Sequence, residues 1–187
     1  MVLPIYAYGH PVLKKVAEDI NQDYPGLTQL IEDMWETMYN AQGIGLAAPQ
    51  IGKSIRLFIV DSEQAMEEGK EKEGIKQVFI NAQKVEETGK EWGYEEGCLS
   101  IPDVRGDVYR LPNLTLRYLD ENFEEQTTTF TGLNARVIQH EYDHIDGVLF
   151  TEKLKPIKKR LIKRKLDNIK KGKIKSDYRM KFAGAKR

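Results

Sequence analysis

His140-Glu141-Tyr142-Asp143-His144 is a His-Glu-x-x-His sequence. On an α-helix, residues four apart lie on one face about a turn from each other, so two imidazoles at that spacing can hold one metal ion. Glu141, next to the first of them, then stands beside the ion's open position as a proton carrier. A surface helix with two incidental histidines is the plainer reading, and the residue inventory argues against it. The chain has three histidines in all, and two of them are here at ligand spacing. Leu133, Val137 and Ile138 give the helix an apolar face, which is expected to point the pair inward. The only cysteine, Cys98, stands in Gly97-Cys98-Leu99-Ser100, a turn context suited to an isolated ligand.

Outward from this motif, the spacing predicts a helix over 133–145, with Thr131 as its N-cap and Gly147 as its end. Strands are predicted over 55–60, 77–81, 104–109, 114–119 and 126–131 from β-branched and aromatic runs. Leu27, Leu30, Ile31, Met34, Trp35 and Met38 follow helical spacing, so 26–40 is an amphipathic helix whose stripe is core. Gly43-Ile44-Gly45-Leu46-Ala47-Ala48-Pro49-Gln50-Ile51-Gly52 lacks the glycine and lysine spacing of a phosphate loop. An apolar loop ending in the amide of Gln50 better suits a substrate groove. The charged stretch 62–74 reads as a surface loop without chemistry, and His10 as structural or exposed. After Pro156, the residues Ile157, Leu161, Ile162, Leu166 and Ile169 mark a second amphipathic helix rich in Lys and Arg. The tail past Gly172 is expected to be disordered.

With 29 basic and 29 acidic residues the net charge is zero, but residues 153–187 hold 16 basic against two acidic ones. The remaining 152 residues are correspondingly acidic. Such a basic tail on an acidic body points to a polyanionic partner. A single cysteine excludes an internal disulfide, and no transmembrane-length apolar run or charged leader is evident. The expectation is a cytoplasmic monomer without membrane attachment. Residues 1–152 form its catalytic part, and 153–187 are the basic helix and tail of the same domain.

Three motifs in order, Gly43 to Gly52, Glu96-Gly97-Cys98-Leu99-Ser100 and Gln139 to His144, make the chain resemble the bacterial peptide deformylases. Each motif alone is modest; together they are specific, and the resemblance spans nearly the whole chain. It implies an α+β fold, with antiparallel strands packed around a central metal-binding helix and a C-terminal amphipathic helix. It also implies that Cys98, His140 and His144 bind one divalent ion, Fe(II) in the family's usual form, with Zn, Ni or Co able to replace it. Three protein ligands and a water form the open arrangement a hydrolytic site requires.

The implied reaction is hydrolysis of the N-formyl group from the initiator methionine of a nascent polypeptide, with formate released. Glu141 would carry the proton, while the Gln50 side-chain amide and the Leu99 backbone N–H would stabilise the oxyanion. By the same resemblance the peptide lies as an added strand along Ile44, Gly45 and Gly97, with Arg105 near its downstream part and Ile44, Leu133 and Val137 around the methionine. Arg136 departs from the pattern, because many relatives carry an aliphatic residue there. Its stem is expected to line the pocket mouth with the charge in water. Glu96 and Arg110 read as an ion pair supporting the cysteine strand. The basic helix is expected to dock on ribosomal RNA phosphate.

Two rivals remain at this level. A zinc endopeptidase shares the motif but needs a downstream His or Glu ligand, and only Glu152 follows His144. An RNA-binding module with a structural metal clip would need a closed, four-ligand set, and three ligands are at hand.

Overall fold

The computed structural model describes residues 1–184. After the two-residue strand β1 (Ile5–Tyr6), helix α1 (Leu27–Asn40) buries Leu27, Ile31, Met34 and Met38, the one-sided stripe that helical spacing dictates. Strands β2 (Gly45–Ala47), β3 (Leu57–Asp61) and β4 (Lys76–Thr88) follow, then the hairpin of β5 (Trp92–Cys98) and β6 (Ile101–Arg110), then β7 (Asn113–Leu119) and β8 (Glu125–Thr131). Helix α2 (Gly132–Ile145), helix α3 (Pro156–Lys170) and the short β9 (Met180–Lys181) complete an α+β architecture.

Five strands pair antiparallel in the order β2-β3-β4-β7-β8, which leaves β2 and β8 as edges. The β5–β6 hairpin stands apart as its own pair. In β6 buried and exposed residues alternate, so Val104, Val108 and Arg110 face inward while Arg105, Asp107 and Tyr109 face water. Behind the sheet, Phe58, Phe79, Tyr118 and Phe130 form one aromatic cluster; Phe58 and Phe79 stack with centroids 4.8 Å apart. Such a contact adds about 0.5–1.5 kcal/mol beyond its area burial. Val137, Ile138, Tyr142 and Ile145 of α2 close this cluster from the other side.

Helix α2 is the centre of the molecule. It packs against β2, β3, β7 and β8, and every residue from Ala135 to Ile145 except the half-buried His140 is buried. The predicted helix matches it closely. Thr131 occupies the N-cap position but makes no side-chain capping bond; the first turn is instead tied by the Gly132 N–H to Pro112 O, 3.1 Å. Gly147 ends the helix at φ 73°, with its N–H on His144 O, and a Cβ there would strike the Lys14 backbone at 2.8 Å.

Two expectations about the tail fail. From Lys173 to Gly184 the chain is folded in place: β9 pairs in parallel with β1, and Ile174, Met180 and Phe182 pack against a core that includes Leu13, Ile162 and Ile169. Basic composition hid these apolar anchors. In α3 only Ile162, Leu166 and Ile169 face inward, whereas Ile157 and Leu161 are 74% and 72% exposed. A helix lying against one β-hairpin has room for a narrow stripe, so two of its five apolar residues are left outside. The stretch 62–74 carries the short 3₁₀ turns Glu63–Ala65 and Glu71–Glu73. The final lysine and arginine of the basic tail lie outside the described residues.

Candidate active site

The end of β5 and the inner face of α2 bring Cys98, His140 and His144 together. Their candidate donor atoms all lie within 4.8 Å of one another, and Cys98 Sγ is 3.4 Å from His144 Nε2. Helical geometry supplies the two imidazoles, whose centroids are 5.1 Å apart. A register shift between Gly97 and Cys98 turns the thiol off the regular ladder.

Glu96 organises what stands behind them. It is buried, and its Oε1 accepts from His140 Nδ1 at 2.8 Å. A carboxylate only accepts, so Nδ1 carries the proton and Nε2 keeps its lone pair for a ligand. The same carboxylate accepts Arg110 Nε at 2.8 Å, Arg110 Nη2 at 3.0 Å and Arg136 Nη1 at 3.0 Å. Burial alone raises its pKa, but the bonds from His140 and Arg110 outweigh burial and hold it well below the usual carboxylate range. Arg110 continues to Asp143 Oδ2 at 2.8 Å and so ties the hairpin to α2. The Glu96–Arg110 pair expected from sequence is therefore real, and it reaches further than the cysteine strand.

Arg136 lines the cleft as expected, but its charge is placed differently from the expectation. It is 2% exposed; its guanidinium donates to Val108 O at 2.8 Å and Trp92 O at 2.7 Å, and lies over the Trp92 ring. The charge is inside, not in water. Buried carbonyls of β5 and β6 need donors, and a planar five-donor fork reaches both strands and Glu96 at once.

Glu141 lies deep beside the two imidazoles. Burial, the dominant effect, raises its pKa to about 7, and Oε2 has no hydrogen-bond partner among the described residues. The adjoining β2 backbone leaves room for it only as glycine, since a Cβ on Gly45 would come 2.5 Å from Glu141 Oε1. Burial also pushes His144 well below the ordinary imidazole value, which favours the neutral, ligating form. Gln50, in the 3₁₀ turn Ala48–Ile51, accepts the Ala47 N–H on Oε1 at 2.9 Å. That bond turns Nε2 toward Cys98 Sγ, 3.4 Å away, and Ser100 Oγ, 3.2 Å away.

A cleft of about 690 Å³ opens over these groups. Ile44, Gly45, Gly97, Arg105, Leu133 and Val137 line it, and Gln50, Leu99, Cys98, His140 and Glu141 reach it; His144 lies beneath. Arg105 is tied to Glu95 at 3.0 Å on the exposed rim. The sequence reading missed a further wall, Lys175, Ser176, Asp177 and Tyr178, which comes from the tail. Tyr178 and Phe182, two aromatics among lysines, were the available signal. It also missed the hold of Glu96 on His140, which joins residues 44 apart and leaves no local pattern.

One soft thiolate and two imidazoles, with a second polar layer fixing one ring and a buried carboxylate beside them, are a donor set that fits a transition-metal ion. No helix among the described residues is long and apolar enough to cross a membrane.

Comparison with known proteins agrees with the geometry. The sequence profile of the polypeptide deformylase family matches residues 2–160. The chain is 57% identical to the peptide deformylase of Christiangramia forsetii, over 100% of this chain and 99% of that one. It is also 57% identical to that of Flavobacterium psychrophilum, over the full length of both. Among solved structures, the peptide deformylase of Thermus thermophilus superposes with TM-score 0.81 at 37% identity, covering 92% of this chain and 99% of that one. The Legionella pneumophila peptide deformylase gives 0.79 at 36% identity, covering 92% and 98%. A half-buried thiol and two helix-borne imidazoles on this scaffold, with matches of this extent, leave one conclusion: the chain belongs to the peptide deformylase family and is an enzyme of that kind.

Proposed function

We propose that this enzyme removes the N-formyl group from the initiator methionine of nascent polypeptides, using one divalent ion held by Cys98, His140 and His144. The observation that carries the reading is the convergence of those three donors beside the buried Glu141, whose Oε2 has no hydrogen-bond partner among the described residues. A bound divalent ion at such a site lowers the pKa of a water and polarises a carbonyl oxygen. Fe(II) is the family's usual ion, and Zn, Ni or Co suit the same donors.

The residues of the chain then divide the work. Glu141 accepts a proton from the attacking water and returns it to the departing amine. Burial raises this carboxyl's pKa and a bound cation lowers it again, which keeps it able both to take and to return a proton. Gln50 Nε2 and the Leu99 backbone N–H donate to the oxyanion that develops on the formyl carbon; elsewhere, loss of one such donor costs about 10²–10³ in rate. β2 and β5 each end a sheet, and the cleft runs between them. Their free edges, at Ile44, Gly45 and Gly97, suit an extended peptide added as a strand. Apolar Ile44, Leu133 and Val137 suit a methionine side chain, and Arg105 stands on the rim for the downstream residues.

The endopeptidase alternative loses its one candidate ligand. Glu152 is bound by Lys14 Nζ at 2.6 Å and accepts the Leu149 N–H at 2.7 Å, away from the site.

Residues 153–187 are read as part of the same domain, since α3 packs on β6 and buries Ile162 and Ile169. The outward face of α3 presents Lys159, Arg160, Lys163 and Arg164 beside exposed Ile157 and Leu161. That face suits docking on ribosomal RNA phosphate by a cytoplasmic, monomeric enzyme.

Formate release from formyl-Met-Ala-Ser by the metal-loaded protein tests the reading. Turnover that stops on chelation and returns with Fe(II) or Zn(II) is expected. No turnover with any of these ions would refute it.

A further inference from the structure

The family profile ends at residue 160, yet the chain comes back to the cleft after α3. β9 is clipped to β1 by the Ile5 N–H on Arg179 O and the Ala7 N–H on Lys181 O, both 2.9 Å. The Gly184 N–H closes back on Lys170 O at 3.0 Å. This strap holds Tyr178 at the wall of the cleft. Its ring packs against the core beneath α1, and its O–H donates to the Leu99 carbonyl at 2.6 Å.

Leu99 follows the thiol ligand, and both of its sides are held. Its side chain is seated on Gly43, where a Cβ would come within 2.7 Å of Leu99 Cδ1. Its carbonyl is held by Tyr178. With these two anchors the Leu99 Cα and carbonyl are held by contacts outside their own turn, which narrows the directions its N–H can take. A phenol suits the task, because only two torsions separate the anchored ring from the backbone and the donor sits at the rigid tip. Donors that stabilise a developing charge are effective when they need no reorientation at the moment of reaction.

We propose that Tyr178 is a positioning residue for deformylation: its O–H, anchored by the β9 strap, fixes the Leu99 carbonyl and so aims the Leu99 N–H at the oxyanion. The inference rests on the role given to Leu99 above. It places part of the catalytic support in a tail that composition marks only as basic.

Tyr178→Phe keeps the ring and its packing and removes the O–H alone. On formyl-Met-Ala-Ser, kcat is expected to fall about 3- to 10-fold, the rate equivalent of one net hydrogen bond, with KM within about twofold. Metal content should match the parent, and Tm should fall by only about 1–6 °C, the stability equivalent of one net hydrogen bond. An unchanged kcat overturns the assignment. So does a rise in KM alone, which would make Tyr178 a plain wall, or a fall in kcat that tracks lost metal. Local amide exchange over residues 97–101 gives a second measurement that a merely structural role would not single out. Faster exchange confined to that segment is expected in the variant, and an unchanged pattern there overturns the assignment. Gln50→Ala is run beside it. A large loss in Gln50→Ala with a normal Tyr178→Phe defeats only the role of Tyr178, whereas a parent that releases no formate defeats the functional reading itself.

Discussion

Replacing Arg136 with leucine puts the buried network behind His140 under direct test. From sequence the change looks harmless, even favourable, since an aliphatic residue would extend the pocket wall. The structure reverses that expectation. Arg136→Leu leaves Val108 O and Trp92 O without their donors in a buried setting, and removes one of the bonds to Glu96. A stranded buried carbonyl costs about 1–3 kcal/mol. Glu96 keeps Arg110 and His140, so its charge is not left alone, and the buried leucine returns part of the loss. The net cost is about 3 kcal/mol, the low end for breaking a buried pair. In a domain of this size each kcal/mol moves Tm by about 2–4 °C, which places the drop at roughly 6–12 °C. Thermal unfolding of metal-saturated protein, followed by circular dichroism, reads it. Because Glu96 orients His140, metal affinity should also weaken, by about 10-fold or more. A variant that melts within about 2 °C of the parent and holds metal equally well would refute the account of this network.

Cys98→Ala removes the single thiolate ligand and should strip the metal, and with it the activity; retention of both on elemental analysis and assay would refute the three-ligand set. Glu141→Gln should keep the metal and lose about 10²–10⁴ in kcat, whereas loss of metal would place that carboxylate among the ligands. Glu141 must be ionised to accept a proton. Burial lifts it from 4.5 to about 7 and a bound cation pulls it down again, so kcat/KM should fall as pH drops through an apparent value between those limits, and Glu141→Gln should lose that acid limb. The double charge reversal Lys159→Glu with Lys163→Glu, on the exposed face of α3, should spare short-peptide turnover and weaken ribosome co-sedimentation at low salt. Equal sedimentation across a salt series would remove the docking role. Deleting everything after Lys155 would not separate docking from catalysis, because the strap that bears Tyr178 would go with it.

What could be read in the sequence was whatever is local or periodic. The i, i+4 histidines, the stripe of α1 and the β-branched and aromatic runs of the middle strands depend on neighbours within a few residues, and the structure reproduces them. Strand limits shifted where pairing decides. Residue 55 makes an isolated bridge to Glu18 before β3 begins, and β4 runs on through 13 residues because its polar half still pairs with β7. The buried charge network was legible only in part. The Glu96–Arg110 pair was expected, but Arg136 and Asp143 look like solvated residues, and only the tertiary contact between the β5–β6 hairpin and α2 makes the four one unit. The tail misled through composition, as its few apolar residues are outnumbered by lysines and yet pack into the core.

The account is tested most directly by what leaves a longer formyl-methionyl peptide when metal-loaded enzyme acts on it to completion. Formate and new free amino groups should appear one for one, with every internal peptide bond intact by mass spectrometry. Internal fragments appearing without formate would contradict the central claim and return the His-Glu-x-x-His helix to the endopeptidase reading.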